Sequence, residues 1–139
     1  MSIEAVKWWK ATEKFDAEGR QLYTPGEAAV LLYLADMTNE STHYAFASLR
    51  RTSRELGIYR RSIERIMSDL EDRDVIRTQR AYEPMSGSRM TSHSYLPLGP
   101  KSHPWRWWDE RVKDANGEVP MMSVILKGQQ TWVPDVETL

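Results

Sequence analysis

Residues 48–70 constrain the fold more than any other part of the chain. They read Ser-Leu-Arg-Arg-Thr-Ser-Arg-Glu-Leu-Gly-Ile-Tyr-Arg-Arg-Ser-Ile-Glu-Arg-Ile-Met-Ser-Asp-Leu. The glycine at position 57 favours a left-handed residue that ends a helix. Apolar residues then recur at positions 63, 66, 67 and 70, a spacing that places all four on one face of an α-helix. The segment predicts two short helices, at 49–56 and 60–72, joined by a tight turn.

The two predicted helices carry the residue types that a steep helix crossing needs. Ser53 is small where the helices must touch, and Gly57 allows the turn. Apolar anchors follow at Ile58, Ile63 and Ile66. Once that face is buried, the opposite face of the second helix is polar and charged, with Arg60, Arg61, Ser62, Glu64, Arg65 and Ser68. Arginines facing outward from the first two turns are what reading of the DNA major groove requires.

The preceding sequence predicts a buried helix from residue 25 to about residue 37. Thr24 is suited to the N-cap, Pro25 to the first helical position, and Glu27 to closing a capping box. The next residues, 38–44, are a loop by composition.

The sequence on either side of these helices predicts a β-hairpin and two terminal helices. Strands are expected at 75–82 and 91–98, around a turn-rich tip at 84–90. The terminal helices are expected at 2–15 and 105–115. The residues after 117 are ambiguous, and 122–126 are the best candidate there for a strand.

Positive charge is concentrated in the middle of the chain. The net charge of −1 does not by itself favour a nucleic-acid-binding protein. Residues 48–106, however, carry twelve Lys and Arg against seven Asp and Glu, whereas the segments before and after them each carry a net charge of −3. Eleven of the twelve basic residues are arginine, which makes bidentate contacts to phosphate and guanine. The charge pattern therefore points to the same segment as the helix pattern.

Several short motifs lie between residues 25 and 98. They are Leu-Ala-Asp at 34–36, Phe-Ala-Ser at 46–48, Glu-Leu-Gly-Ile at 55–58, Arg-Arg-Ser-Ile at 60–63, Leu-Glu-Asp at 70–72, Val-Ile at 75–76 and Thr-Ser-His-Ser-Tyr at 91–95. Together they resemble the winged helix-turn-helix family of bacterial, plasmid and phage regulators and replication proteins. The resemblance implies a recognition helix at 60–72 and a wing around residues 85–90.

The sequence departs from the family pattern in two places. Tyr59 stands where the family usually has a serine or threonine N-cap, so either the recognition helix begins differently or Tyr59 contacts a phosphate. The wing tip is short, and its basic residue is Arg89.

The expected fold is mainly α with a small β-hairpin. It is a winged helix-turn-helix with an added N-terminal helix and a C-terminal helical extension. We expect an N-terminal helix and connector at 1–23, the winged helix-turn-helix domain at 24–98, and a tryptophan-containing extension at 99–139.

The expected function is sequence-specific binding of double-stranded DNA, as a transcriptional or recombination regulator of bacterial or phage origin. The residues expected at the DNA are Arg50, Arg51, Tyr59, Arg60, Arg61, Ser62, Arg65, Ser68 and Arg89. Arg61 and Arg65 are expected at base edges, and Arg50 and Arg51 at phosphates. Two alternatives stay open: a replication-initiation protein that binds an origin and recruits a partner, and a winged helix repurposed to bind protein.

Six tryptophans mark the two ends of the chain, at positions 8, 9, 105, 107, 108 and 132. We expect most of them to be core, formed where the terminal segments fold onto the body. A protein interface is the alternative, and a base-stacking platform is disfavoured by the acidic C-terminal segment. The segment from residue 101 onward is therefore expected to be ordered, against the body or a second subunit, and homodimerisation is expected.

The sequence offers little support for an enzyme. It has no cysteine, and its three histidines at 43, 93 and 103 lack ligand-like spacing. It contains no phosphate-cradling glycine loop and no nucleophile elbow. We therefore expect no catalysis, cofactor or metal. The N-terminus is polar and no apolar run reaches membrane-spanning length, so a cytoplasmic location is expected.

Overall fold

The computed structural model describes residues 2–46, 48–82, 89–111, 118–126 and 129–134. Within these residues the chain forms five helices and five strands. In chain order they are α1 (Ile3–Ala11), α2 (Pro25–Met37), β1 (Tyr44–Phe46), α3 (Leu49–Leu56), α4 (Arg60–Asp72), β2 (Arg77–Tyr82), β3 (Arg89–Tyr95), α5 (Arg106–Arg111), β4 (Glu118–Leu126) and β5 (Gln129–Pro134).

Helix α2 begins with the capping box that the sequence predicts. The Thr24 hydroxyl accepts a hydrogen bond from the Glu27 N–H at 3.1 Å, and the Glu27 carboxylate accepts one from the Thr24 N–H at 2.8 Å. Pro25 occupies the first helical position, where a missing N–H costs nothing. The predicted start and end of this helix are confirmed.

Helices α3 and α4 also have the predicted bounds. Ser48 caps α3 by accepting from the Arg51 N–H at 3.0 Å, and Gly57 ends the helix with φ +68°. The Ser53 hydroxyl donates to the Ile58 carbonyl, across the turn that Gly57 makes. A serine at this position thus contributes a hydrogen bond as well as small size.

Helix α1 is shorter than expected, and the prediction of a helix to residue 15 is wrong. Thr12 leaves the helix with ψ 134°, and its hydroxyl donates to the Trp8 carbonyl at 2.7 Å. The Lys14 ammonium donates to the Trp9 and Thr12 carbonyls. Side chains therefore satisfy carbonyl groups that a further helical turn would otherwise bond, so the helix ends at Ala11.

A small antiparallel sheet of β1, β3 and β2 packs against the helices. β2 and β3 form the predicted hairpin, and β1 pairs with β3 through Ala45 and Ser94. The β1 strand was not predicted.

The hairpin strands are also shifted from the expected 75–82 and 91–98. The N–H of Val75 still bonds the Leu70 carbonyl at 2.9 Å, in the turn after α4, so β2 begins two residues later.

The C-terminal extension is not wholly helical, which corrects the expected fold class. Only Arg106–Arg111 is helical among the described residues of 105–115, and residues 112–117 lie outside them. Beyond these residues, β4 pairs in parallel with β2, and β5 pairs antiparallel with β4, so the strand order is β1-β3-β2-β4-β5. The candidate strand at 122–126 is part of the longer β4.

The core lies between the helices and one face of the sheet. It is formed by Ala5, Trp9, Val30, Leu31, Leu34, Ala35, Ala45, Ile63, Leu70, Ile76, Leu96 and Leu98. Trp8, the neighbour of Trp9, packs against the same cluster while partly buried. The N-terminal tryptophans therefore belong to the core, as expected.

The tryptophans around α5 pack against the body of the protein. Trp105 lies under the Arg77 guanidinium at 4.3 Å, Trp108 meets the Tyr95 ring edge-on, and Trp107 stacks on His43 with centroids 3.8 Å apart. Within the segment expected to be ordered from residue 101, α5 thus docks on the body through these rings, and β4 joins it through its pairing with β2. The side chain of Trp132 lies outside the described residues.

Candidate nucleic-acid interface

Helix α4 buries one face and exposes the other. Ile63 and Leu70 are completely buried, while Arg61 and Arg65 are exposed, one turn apart, on the opposite side of the helix. Ser68 continues this exposed face by a further turn. The apolar period anchors the helix and leaves a polar face of about two turns accessible to a ligand.

The start of α4 is accessible and lacks a side-chain cap. Tyr59 occupies the N-cap position without capping the helix through its side chain, and it is 86% exposed. The first amide groups of a helix point outward along its axis and attract anions. The departure from serine or threonine at position 59 therefore leaves these amides available to a phosphate oxygen.

Two of the arginines expected at the interface form ion pairs within their own helices. Arg60 contacts Glu64 at 3.5 Å, and Arg51 contacts Glu55 at 2.9 Å. Hydrogen bonding to Glu55 raises the pKa of Arg51 above its ordinary value. Arg51 and then Tyr33 lower the pKa of the Glu55 carboxyl. These carboxylates offset part of the positive charge on the surface of α3 and α4.

The other arginines of the two helices are exposed, and no ion pair is found for them within the described residues. They are Arg50, Arg54, Arg61 and Arg65. Arg54 follows Arg50 by one turn of α3 and was missed in the sequence analysis. The same i, i+4 spacing that identified Arg61 and Arg65 would have found it.

The expected site residues have different surroundings. Most of them are exposed on α3, on α4 or at the α4 N-cap, namely Arg50, Arg51, Tyr59, Arg60, Arg61, Arg65 and Ser68. Ser62 is partly buried. The expected wing tip largely falls outside the described residues, which exclude 83–88. Arg89 begins β3 opposite Tyr82, and its side chain is also outside them. Arg80 is an exposed residue of β2 that was not among the expected site residues.

A second cluster lies on the sheet, around His93. This side chain is completely buried, stacks on the Tyr44 ring at 4.0 Å, and meets Phe46 edge-on. Neither ring nitrogen has a hydrogen-bond partner among the described residues. Burial lowers the pKa of His93 from 6.5 to about 4. The imidazole is therefore neutral near pH 7 and adds no charge to the protein surface.

Two other kinds of feature are absent from the described ranges. No three His, Cys, Asp or Glu side chains there come together as a metal site. No helix in the described part of the chain has both the length and the apolar character needed to cross a membrane.

Comparison with known proteins returned no relative. The chain matches no protein-family model, no curated protein and no solved structure.

Proposed function

We propose that the protein binds double-stranded DNA as a winged helix-turn-helix protein, with α4 as its recognition helix. The observation that carries the proposal is the outward face of α4. Arg61 and Arg65 are exposed there, without an ion pair among the described residues, while Ile63 and Leu70 on the opposite face anchor the helix in the core.

The dimensions and chemistry of this face suit the major groove. An α-helix fits the groove, and an arginine guanidinium forms two parallel hydrogen bonds to the O6 and N7 atoms of guanine. Arg61 and Arg65 are one turn apart, so both side chains can reach base edges from the same helix. The amides at the start of α4 and the arginines of α3 are suited to the phosphates on either side.

The arrangement of elements supports the winged-helix part of the proposal. Helices α2, α3 and α4 share one core, and the β2–β3 hairpin follows α4 directly in the chain. Gly57, in the left-handed conformation, makes the turn between α3 and α4, and the two helices pack against each other. In this arrangement the hairpin is the wing.

The biological role we propose is sequence-specific regulation of transcription or recombination in the cytoplasm of a bacterium or of a phage-infected cell. A single α4 reads a short site, so the proposal includes two copies on one DNA molecule. A replication-initiation protein would use the same helix. Operator-like inverted repeats beside the gene favour the regulator, whereas iterated repeats at an origin favour the initiator.

The decisive experiment is selection of bound sequences from random DNA, followed by substitution of the α4 arginines. Arg61→Ala and Arg65→Ala should each weaken binding to the selected site by about 1–3 kcal/mol and relax the preference at particular bases. Arg20→Ala is a suitable control, because Arg20 is an exposed arginine in the connector before α2. It should leave the affinity unchanged.

Two results would overturn the proposal. If the two α4 variants stay folded and bind the selected site as tightly as the parent protein, α4 is not the recognition helix. If the parent protein shows no affinity for any DNA at low salt, the protein-binding alternative takes its place. The exposed rings of Phe46 and Tyr59, 46% and 86% accessible, are the feature that favours this alternative.

A further inference from the structure

In the part of the chain that the structure describes, the β5 edge of the sheet has two open hydrogen-bonding positions. Strand β5 is the last in the order β1-β3-β2-β4-β5, and within the described residues it pairs only with β4. Pro134 stands opposite Met121 and has no N–H, so this pair cannot be a hydrogen-bonded pair. Hydrogen-bonded and non-hydrogen-bonded pairs alternate along an antiparallel ladder. Trp132 and Gln130 therefore also stand at non-hydrogen-bonded positions, and their N–H and C=O groups face away from β4.

The composition of β5 does not protect this edge. Natural sheets guard exposed edges with charged residues, prolines or very short strands. Gln129–Pro134 contains no charged residue, and its proline comes last, after both open positions. The opposite edge, β1, is only three residues long. An uncharged edge whose outward amides have no partner among the described residues is suited to accept another strand.

We propose that a second copy of this chain occupies the β5 edge, so that β5 pairs antiparallel with β5 of the partner about a two-fold axis at Thr131. In this register Gln130 lies opposite Trp132 of the partner subunit, and both open positions of each copy are satisfied at once. When a strand pairs with its own copy, identical residues lie close together, so charged residues would repel each other. Strand β5 has no charged residue and therefore no such repulsion, and Pro134 limits the length of the ladder.

The two sheets then form one continuous sheet through the dimer. The contact is isologous, so it closes with two copies. Pairing of β5 with the short β1 edge would instead be heterologous and would build open-ended chains. This dimer surface follows from the sheet edge alone, and it is tested without DNA, so its failure is distinct from failure of the DNA-binding proposal.

Amide hydrogen exchange of the full chain tests the register residue by residue. NMR spectra recorded at low and high micromolar concentration should show slower exchange for the Gln130 and Trp132 amides at the higher concentration, in proportion to the fall in monomer fraction. The amides of Gln129, Thr131 and Val133 bond to β4 and should be protected at both concentrations. Rapid exchange of the Gln130 and Trp132 amides at all concentrations, or their protection in a protein that sediments as a monomer, would overturn the proposal.

Sedimentation velocity provides the second test. The parent protein should show a concentration-dependent dimer, and Gln130→Pro, which removes one open N–H without touching a β4 bond, should be monomeric. Gln130→Thr keeps the N–H and should still dimerise. Unchanged circular dichroism and β4–β5 amide protection establish that the proline variant is folded. Three results would each contradict the β5 dimer. The parent protein could stay monomeric to submillimolar concentration, it could form larger chains, or the proline variant could dimerise equally well.

Discussion

Arg73, which ends α4, contacts Glu27 in the first turn of α2, with its Nη2 atom 2.6 Å from Oε2. The other oxygen of the same carboxylate accepts the Thr24 N–H in the capping box. Arg73 also donates to the Leu22 carbonyl at 3.1 Å. One mostly buried carboxylate therefore fixes the start of the buried helix to the end of the proposed recognition helix.

Arg73→Ala should lower the free energy of unfolding by about 1–3 kcal/mol, because it leaves the Glu27 carboxylate without its charged partner. Urea unfolding at pH 7 measures the change. Arg20→Ala serves as the control, since the Arg20–Asp16 pair is more exposed and should matter less. A loss for Arg73→Ala no larger than for Arg20→Ala would show that the contact does not hold the helices together.

His93 should make the protein sensitive to mild acid. Its folded pKa of about 4 lies below the unfolded value of 6.5, so the folded state binds fewer protons between these two values. The free energy of unfolding should therefore fall as the pH drops through this window, by about 2 kcal/mol between pH 7 and pH 5. Below the folded pKa, the contribution of His93 should become constant.

The His93→Phe variant isolates this contribution. Phenylalanine keeps an aromatic ring beside Tyr44 but cannot bind a proton, so its stability should change less between pH 7 and pH 5. The pKa values of Asp16, Glu55 and Asp74 are lowered by hydrogen bonds, and the stability from these carboxylates is lost only at more acidic pH. An identical pH dependence in the parent and His93→Phe proteins would show that His93 titrates normally.

Gly99→Ala should displace α5. A Cβ atom at Gly99 would lie 2.1 Å from the His103 carbonyl oxygen and 3.0 Å from that of Pro104, so the turn before α5 has no room for a methyl group. The stack of Arg77 on Trp105 should then be lost, with a change in tryptophan fluorescence and a lower unfolding midpoint. Displacement of the backbone is needed to relieve the clash.

Gly26→Ala is the matched control for this substitution. Its added Cβ would lie 3.1 Å from Cδ1 of Ile66, the end of a flexible side chain, and alanine is favoured within a helix. Its fluorescence should resemble that of the parent protein. If Gly99→Ala is also indistinguishable from the parent, the close packing of the 99–104 turn is not required to dock α5.

Helices α2, α3 and α4 could be predicted from sequence because local signals determined them. The helix ends are marked by hydrogen bonds and backbone angles formed within a few residues: the Thr24–Glu27 capping box, the Ser48 N-cap and the left-handed Gly57. The period of Ile63 and Leu70 gave the buried face of α4. The exposed arginines followed from that face, so most of the candidate site was also predictable.

The missed elements depend on contacts between distant segments. Strand β1 has three residues and exists through its pairing with β3, some fifty residues later in the chain. The parallel pairing of β4 with β2 likewise joins Glu118 to Arg80, which no local pattern reports. The ion pair of Arg51 with Glu55 was not predicted, although the four-residue spacing between the two residues is visible in the sequence.

Glu64→Gln should strengthen the proposed DNA binding. Glu64 lies 3.5 Å from Arg60 on the exposed surface of α4, so its carboxylate competes with phosphate for that guanidinium and repels the DNA backbone. Removal of the charge should make one further arginine–phosphate contact available. The slope of log affinity against log salt concentration should then become steeper by about one unit, with tighter binding at low salt. The fold should be unaffected, because both side chains are exposed.

Glu110→Gln provides the matched control, since Glu110 forms an i, i+4 pair with Arg106 at 3.0 Å on α5 and both side chains are half exposed. It changes the net charge by the same amount as Glu64→Gln but lies outside the proposed interface. Filter binding over a range of salt concentrations separates the two variants. If both increase affinity equally, the effect is one of net charge alone, whereas a steeper slope for Glu64→Gln only supports a phosphate contact at Arg60.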